Sequence, residues 1–187
     1  MRIGRVLYPI KALGPGERLG IWVQGCERSC EGCANPELQS MEGKEMPLPV
    51  LAAMCKAAIE DYGLKGITIS GGEPMLQAGE LAELLKELRP HCDDILLFTG
   101  YTRDELKRMD TDSVLENIDV LVDGVYIKER NRGEILRGSD NQVIHFLTDG
   151  SREKYEAYIN ENRNTVDEFI APDGVVAVGI HPGETFQ

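Results

Sequence analysis

Three cysteines lie close together near the start of the chain, in the segment IWVQGCERSCEGCANPE at residues 21–37. They are Cys26, Cys30 and Cys33, which gives the spacing CxxxCxxC. Closely spaced thiolates are typical ligands of soft metal centres. A structural zinc site usually has four protein ligands, commonly as two CxxC-like pairs, and this sequence has no second pair. Three thiolates can instead bind three corners of a [4Fe–4S] cubane, which leaves the fourth iron open to an external ligand.

The other residues that bind metals through sulfur or nitrogen are isolated in the sequence. His91, His145 and His181 stand far from the cysteine segment and from one another. Cys55 lies within an apolar helical pattern, so we expect a buried and inert thiol, and we assign Cys92 to no site. A structural zinc loop and a coincidental group of thiols remain alternatives at this point.

A glycine-rich turn, ITISGGEPML at residues 67–76, lies between a predicted strand and a predicted helix. Gly71 and Gly72 allow the backbone to pass close to a ligand, because glycine tolerates positive φ. Glu73 offers an acceptor for hydrogen bonds, and Pro74 makes the exit from the turn rigid. The segment is therefore either a ligand-binding turn or an ordinary connection.

Elements that alternate between strand and helix must position these two segments. Short apolar runs predict strands at residues 19–25, 66–70, 94–100, 119–124, 142–147 and 174–180. Helical patterns occupy residues 48–63, 78–90, 102–109 and 151–164, and turn-forming residues predict loops at 10–20 and 34–47. Thr102 and Glu105 form a candidate capping box. The alternation predicts an α/β fold with right-handed βαβ units and mostly parallel strands.

Further polar residues stand where the predicted strands end. Ligands of parallel α/β sheets and barrels collect at the carboxyl ends of strands, so these residues are candidates for the site. Thr99 and Asp123 follow apolar runs, and each either lines the site or belongs to a turn. Ser139 and Asn141 instead precede a predicted strand, and they either bind a cofactor or form an Asx turn in the segment GSDN.

Length and charge restrict the classes of function. The chain has 187 residues, with 32 acidic and 20 basic residues and a formal net charge of −12. This length suits one domain with a substantial core, and the negative field disfavours nucleic acids. No apolar run approaches the roughly 20 residues of a membrane span, and the N-terminal residues lack the apolar stretch of a secretory signal. We expect a cytoplasmic protein that binds neither nucleic acids nor membranes.

The CxxxCxxC spacing followed by SGGEP resembles the radical S-adenosylmethionine superfamily. In that superfamily the open iron chelates the amino and carboxylate groups of S-adenosylmethionine, and the GGE backbone contacts the amino group. Other segments resemble the glycyl-radical-enzyme activases, and among them the activases of anaerobic ribonucleotide reductase: LLFTGYTRDEL, DVLVDGVYIKE and LRGSDNQVIHFL. The similarity runs from about residue 19 to 148 and weakly over 175–184. Gly32 departs from the pattern, because many members carry there an aromatic residue that touches the adenine.

The resemblance implies a single radical S-adenosylmethionine domain over residues 1–187, with a cluster loop at 25–37 and a C-terminal part at 148–187. Its implied architecture is a partial (β/α)6 TIM-like open barrel with mostly parallel strands. The implied ligands of the [4Fe–4S] cluster are Cys26, Cys30 and Cys33. The residues expected to bind S-adenosylmethionine are Gly71, Gly72, Glu73, Pro74, Thr99, Asp123, Ser139 and Asn141. Glu73 is expected to shape its loop, and no side chain is expected to act as an acid or base.

The implied reaction needs an electron from a flavodoxin- or ferredoxin-type protein. Reductive cleavage of S-adenosylmethionine then yields methionine and a 5′-deoxyadenosyl radical, which abstracts a hydrogen atom from a glycine Cα in a large glycyl radical enzyme. Two other interpretations stay open. One is a small radical enzyme that acts on a peptide or a small molecule, although RGSDNQ argues against it. The other is a non-catalytic iron–sulfur or zinc module, which has no use for the glycine–glutamate turn.

Overall fold

The computed structural model describes residues 1–161, 163–171 and 174–180. Its strands are β1 (Ile3–Ile10), β2 (Arg18–Val23), β3 (Gly66–Gly71), β4 (Ile95–Phe98), β5 (Val120–Asp123), β6 (Val143–Phe146), β7 (Asp167–Ala171) and β8 (Gly174–Val178). Its α-helices are α1 (Leu48–Tyr62), α2 (Ala78–Leu88), α3 (Arg103–Leu106), α4 (Asp112–Leu115) and α5 (Ser151–Glu161). None of the helices in these ranges is long and apolar enough to cross a membrane.

Strands β1 to β6 form one sheet in which neighbours in space are also neighbours along the chain. The four strands from β2 to β5 run parallel, whereas β1 and β6 pair antiparallel at the two edges. Each parallel step needs a crossover, which α1, α2 and the short pair α3 and α4 provide. The prediction of an α/β fold with mostly parallel strands is thus confirmed. The sheet is open, and the described residues form no closed barrel.

Several predicted elements differ in extent from the observed ones. The run at 174–180 is a strand, β8, but it pairs with β7 in a separate hairpin and does not join the main sheet. Neither β1 nor β7 was predicted, because β1 is only partly buried and carries Arg5 and Pro9, and β7 begins with two acidic residues. The predicted loop at 10–20 is shorter, since β1 and β2 extend into it. The predicted capping box of Thr102 and Glu105 is confirmed at the start of α3.

The crossover helices cover one face of the sheet. Helix α1 carries a proline in its first turn and ends at Gly63, whose φ of +61° gives a left-handed C-cap. Its residues Leu51, Cys55 and Ile59 recur every four positions and pack into the main core with the strands. Cys55 is fully buried, and this burial raises the pKa of its thiol to about 12, as expected for an inert core cysteine.

The opposite face of the sheet is covered in two separate places. At the β1 and β2 end, the hairpin of β7 and β8 packs on Trp22 and its apolar neighbours. At the β4 to β6 end, α5 and the segment 125–142 pack on Leu96, Val120 and Val122. The space between these two covers opens toward the carboxyl ends of the parallel strands, which is where the polar candidates of the sequence lie.

The amino ends of the strands contain a buried ionic network that the sequence did not reveal. Arg18 at the start of β2 is 0% exposed, and its guanidinium donates to Asp94 Oδ2 (3.0 Å) and Thr68 Oγ1 (2.7 Å). Tyr155 of α5 donates its hydroxyl to Asp94 Oδ1 at 2.7 Å. Burial opposes the ionised form of Asp94, but Arg18, with Lys154 and Tyr155, holds the pKa of this carboxyl below its usual range. This Arg18–Asp94 network joins β2, β3, β4 and α5 at the edge opposite to the cysteines.

Candidate functional site

The cluster loop, residues 25–37, follows β2 at the carboxyl edge of the sheet. Two backbone hydrogen bonds close it at its root. Gly25 N donates to Leu38 O at 2.9 Å, and Cys26 N donates to Gln39 O at 3.0 Å. The loop is therefore held at both ends while the residues between them face the open space.

The three cysteines of this loop are partly exposed and line one common cavity. The backbone N–H of Arg28 donates to Cys26 Sγ, and that of Asn35 donates to Cys33 Sγ, at 3.4 Å in each case. Burial raises the pKa of the Cys26 thiol, and burial together with the two neighbouring thiols raises that of Cys30. Thiolates this close repel one another. A bound group that contains several metal cations would therefore stabilise the three thiolates together.

This donor set fits an iron–sulfur cluster. Among the described residues, no three Cys, His, Asp or Glu side chains converge on one position that would hold a single metal ion. A cluster does not require such convergence, because each thiolate binds a different iron. Soft ligands, a shared cavity and backbone N–H groups directed at sulfur are the features that such a cluster needs.

The glycine-rich turn lies directly against the root of the cluster loop. Gly72 N donates to Val23 O, and Glu73 N donates to Gly25 O, both at 2.8 Å. A Cβ on Gly72 would lie 2.2 Å from Gly25 O, which leaves no room for a side chain. Gly71 has a φ of +113°, and both glycines line the cavity. The turn and the loop therefore form one hydrogen-bonded unit that requires glycine.

We expect Gly72→Ala to displace the root of the cluster loop and to lower iron binding severalfold. The added methyl group meets backbone atoms, which cannot rotate away, and overpacking of this kind costs about 1–3 kcal/mol. The measurement is the iron and sulfide content per chain after anaerobic reconstitution. Gly79→Ala is the control, because an added Cβ in α2 meets nothing within 4 Å. Equal iron contents in the two variants would contradict the argument.

Glu73 connects the turn to the end of β4. Its buried carboxylate accepts hydrogen bonds from Met75 N (3.0 Å), Thr99 Oγ1 (2.7 Å) and Gly100 N (2.7 Å). Burial raises the pKa of Glu73, and these three donors oppose the shift. Pro74 is buried at the start of the short 3-10 helix that follows. Glu73 and Thr99 thus hold two strand ends together, and the Thr99 side chain is directed at Glu73.

Asp123 ends β5 and does not belong to the residues that line the cavity. Side chains alternate along a strand, and β5 directs Leu121 and Asp123 toward the helix-covered face. The Asp123 carboxylate accepts from Arg103 N at 2.6 Å, at the beginning of α3, and lies 3.0 Å from His145 Nε2. It therefore fixes a helix start on the side away from the cysteines.

Ser139 and Asn141 shape the segment 125–142 beside the cavity. The Ser139 hydroxyl accepts from Ile127 N at 3.1 Å, and the Asn141 amide donates to Val125 O at 2.8 Å. The buried Oδ1 of Asn141 has no hydrogen-bond partner among the described residues. Two neighbours of these residues, Gly138 and Gln142, line the cavity itself. The segment is ordered by its own hydrogen bonds and presents its glycine and glutamine to the open space.

Arg28 lines the cavity and is a residue of the site that reasoning from the sequence missed; it contacts Tyr101. The Arg28 guanidinium carbon lies 4.0 Å from the centre of the Tyr101 ring, and the group also donates to Glu105 Oε1 at 3.4 Å. This contact ties the cluster loop to the start of α3. The position of Arg28 between Cys26 and Cys30 was the available signal, but nothing in the sequence indicated its partners.

Gly32 has a backbone conformation that explains its residue type. Its φ is +69°, where a side chain is strained, and an added Cβ would lie 3.2 Å from Lys128 Cδ. The ring of Tyr126 also approaches this position, at 3.7 Å. Lys128 forms an ion pair with Glu31 at 3.1 Å. In this chain, residues of segment 125–142 occupy the surroundings of Gly32.

The cavity that joins these features has a volume of about 930 Å³. Its walls are the cluster loop, the glycine-rich turn, the segment 125–142 and the hairpin of β7 and β8, with Phe98 among the lining residues. Ligand pockets typically range from about 300 to 1,000 Å³, so this cavity is at the large end. It has room for a cofactor-sized ligand beside the cysteines.

Comparison with known proteins gives a family for this arrangement. A family profile described as a 4Fe-4S single cluster domain matches residues 12–145, which include the cluster loop, the glycine-rich turn and the strand ends around the cavity. The match ends before α5 and the hairpin of β7 and β8. The iron–sulfur interpretation of the cysteines thereby has support that is independent of their geometry.

Similar proteins extend over most of the chain. The chain is 38% identical over 149 residues to the anaerobic ribonucleoside-triphosphate reductase-activating protein of Vibrio cholerae. This alignment covers 75% of the present chain and 96% of that protein. The protein of the same name from Escherichia coli K12 is 34% identical over 151 residues, with the same coverage. The one from phage T4 is 31% identical over 150 residues, covering 77% and 94%. The chain therefore belongs to the radical S-adenosylmethionine family of activating enzymes with a single 4Fe-4S cluster domain.

Proposed function

We propose that this chain activates a glycyl radical enzyme of the anaerobic ribonucleoside-triphosphate reductase type. The observation that carries the proposal is the hydrogen-bonded unit of the glycine-rich turn and the cluster loop, which faces one cavity together with the three cysteines. The names of the relatives, which align over nearly their whole length, support the same class of partner.

In this proposal Cys26, Cys30 and Cys33 hold a [4Fe–4S] cluster, and S-adenosylmethionine binds in the cavity beside Gly71 and Gly72. Bound there, the two groups would supply a one-electron reductive cleavage to methionine and a 5′-deoxyadenosyl radical, which would take a hydrogen atom from a glycine Cα of the partner. The electron comes from a flavodoxin- or ferredoxin-type protein. The products are 5′-deoxyadenosine and a glycyl radical.

The side chains of this protein then act by binding, orientation and exclusion of water. Gly71 and Gly72 leave the backbone open to a ligand, and Glu73 fixes the two strand ends beside it. The unpartnered Oδ1 of Asn141 is suited to accept a hydrogen bond from a bound ligand. Ser139 holds the same segment in place. None of these roles requires a proton transfer.

The fold and its setting are part of the proposal. The open sheet, with helices on one face, is proposed to be a partial (β/α)6 TIM-like barrel. Residues 1–187 are proposed to form one domain, in which the C-terminal part completes the cavity. Thiols that bind a cluster must stay reduced, so we propose a cytoplasmic location.

The test is an anaerobic reconstitution with iron and sulfide, followed by chemical reduction with S-adenosylmethionine present. We expect 5′-deoxyadenosine in amounts that scale with the iron content of the protein. Added anaerobic ribonucleoside-triphosphate reductase, from the organism that encodes this chain, is expected to acquire a glycyl signal in electron paramagnetic resonance.

The two readouts separate the alternatives. Absence of 5′-deoxyadenosine would contradict the radical chemistry as a whole. Formation of 5′-deoxyadenosine without a glycyl signal would count against the partner, and it would favour a small radical enzyme that acts on another peptide or on a small molecule.

A further inference from the structure

Strand β8 lines the cavity with consecutive residues. Gly174, Val175, Val176 and Ala177 all border it, whereas Ala171 is the one residue of β7 that does. Side chains of a strand point alternately to its two faces, so consecutive lining residues mean that the edge of the strand borders the cavity. The edge of β8 therefore lies opposite the cluster loop, across the same open space.

The register of the hairpin shows which backbone groups point into the cavity. Ala171 pairs with Gly174, three positions further along the chain, and an antiparallel pair this close in sequence is a hydrogen-bonded one. Hydrogen-bonded and non-hydrogen-bonded pairs alternate along antiparallel strands. Val176 therefore bonds to β7, while Val175 and Ala177 direct their N–H and C=O groups away from it. Within the described residues, no other strand pairs with this edge.

The hairpin is fixed on the body of the protein, so its edge has a defined position. The Asp167 carboxylate accepts hydrogen bonds from Lys11 N (2.7 Å) and Ala12 N (2.9 Å). Val176 and Val178 turn inward and pack in the apolar cluster around Trp22. Val175, on the outer face, is 66% exposed.

The space in front of this edge suits a polypeptide backbone. Residues without bulky side chains border the cavity on several sides, namely Gly32, Ala34, Gly71, Gly72, Gly100 and Gly138. A target glycine has no side chain to be recognised, so main-chain pairing is the direct way to position its Cα. Addition of an extended peptide to an exposed strand edge is a general mode of recognition.

We propose that the substrate segment, an extended peptide that contains the target glycine, binds as an additional strand along the edge of β8. This inference rests on the proposed function, because it takes the partner's glycine loop as the occupant of the cavity. Val175 and Ala177 exchange backbone hydrogen bonds with alternate residues of that segment. The peptide thereby lies between β8 and the cluster loop, with its glycine in the cavity that the cysteines line.

The experiment uses the reconstituted full-length chain and a fluorescent synthetic peptide that spans the glycine loop of the reductase from the same organism. Ala177→Pro removes an outward N–H, and we expect affinity measured by anisotropy to fall about tenfold. Glu168→Pro is the matched control, because Glu168 lies opposite Ala177 and directs its N–H to the outer edge of β7. Both prolines stand at edge positions that tolerate them, so similar unfolding temperatures are expected.

A second series places single N-methyl groups along the peptide. Strand addition predicts that affinity falls at every second position, since only alternate amides pair with β8. Equal affinity of the two proline variants, or losses that do not alternate, would overturn the inference. Absence of peptide binding by the wild-type chain would also overturn the inference. So would a dimer that dissociates in the Ala177→Pro variant, because the edge of β8 would then pair two copies of the chain. Peptide binding without a glycyl signal in the reductase would count against the proposed function alone.

Discussion

The Cys30→Ala variant is expected to bind no [4Fe–4S] cluster and to form no 5′-deoxyadenosine above background. Three cysteines supply the cluster ligands, and the described residues contain no other sulfur ligand in the cavity. Loss of one thiolate leaves two ligands, which cannot hold a cubane whose fourth iron must stay open. The measurements are visible absorbance, iron content and product formation after anaerobic reconstitution.

Cys55→Ala provides the control for this experiment. Cys55 is a residue of α1 that is buried in the main core, away from the cavity, and its thiol has a pKa of about 12. Its replacement removes one buried sulfur atom and costs on the order of 1 kcal/mol of stability. The iron content and the product yield are expected to match those of the wild type. A Cys30→Ala protein with the iron content of the Cys55→Ala protein would refute the assignment of the ligands.

The Asp94→Asn variant is expected to lower the free energy of unfolding by about 3–5 kcal/mol, because it leaves the Arg18 charge buried without its counter-ion. Such a loss is a large part of the total stability of a domain. Urea denaturation at neutral pH measures the change. Asp93→Asn is the control at the neighbouring, exposed position, where a change within about 0.5 kcal/mol is expected. Similar midpoints for the two variants would contradict a stabilising network.

The same network predicts how stability depends on pH. The folded state lowers the pKa of Asp94, so its ionisation stabilises the protein above the unfolded pKa of about 3.9. This contribution is lost as the pH falls through the lower, folded-state pKa. The difference between the wild type and Asp94→Asn is therefore expected to be full at neutral pH and to shrink in acid.

The sequence predicts those parts of the fold and site that depend on local patterns. The apolar strands β2 to β6, the helices α1 and α2 and the capping box follow from periodicity and end signals. The spacing of the cysteines indicates a metal site, and its iron–sulfur chemistry is implied by the family resemblance that this spacing and SGGEP carry together. These features are encoded within a few residues of one another, so one sequence is sufficient to recognise them.

The remaining features depend on contacts between distant residues. A single arginine at residue 18 indicates a loop, and only its contact with Asp94, 76 positions away, explains a buried charge in a strand. The sequence showed that Asp123 ends a strand, but the side to which it points depends on which face α3 and His145 occupy. Likewise, the sequence shows a glycine at residue 32 where many members of the superfamily carry an aromatic residue, but it does not show that this glycine has a positive φ. Sequence patterns specify elements, whereas packing determines which face becomes the site.

The anchoring of the C-terminal hairpin has a consequence for biosynthesis. The Asp167 carboxylate accepts hydrogen bonds from the backbone N–H groups of Lys11 and Ala12, so the hairpin of β7 and β8 closes against a segment made more than 150 residues earlier. A chain emerging from the ribosome can pair β1 to β6 in order, since these strands are neighbours in the sheet. The wall formed by β8 is added only after all six strands of the main sheet have been made. A nascent chain, or one truncated before β7, already carries the three cysteines but lacks one wall of the cavity. A radical formed there would be less well shielded from solvent.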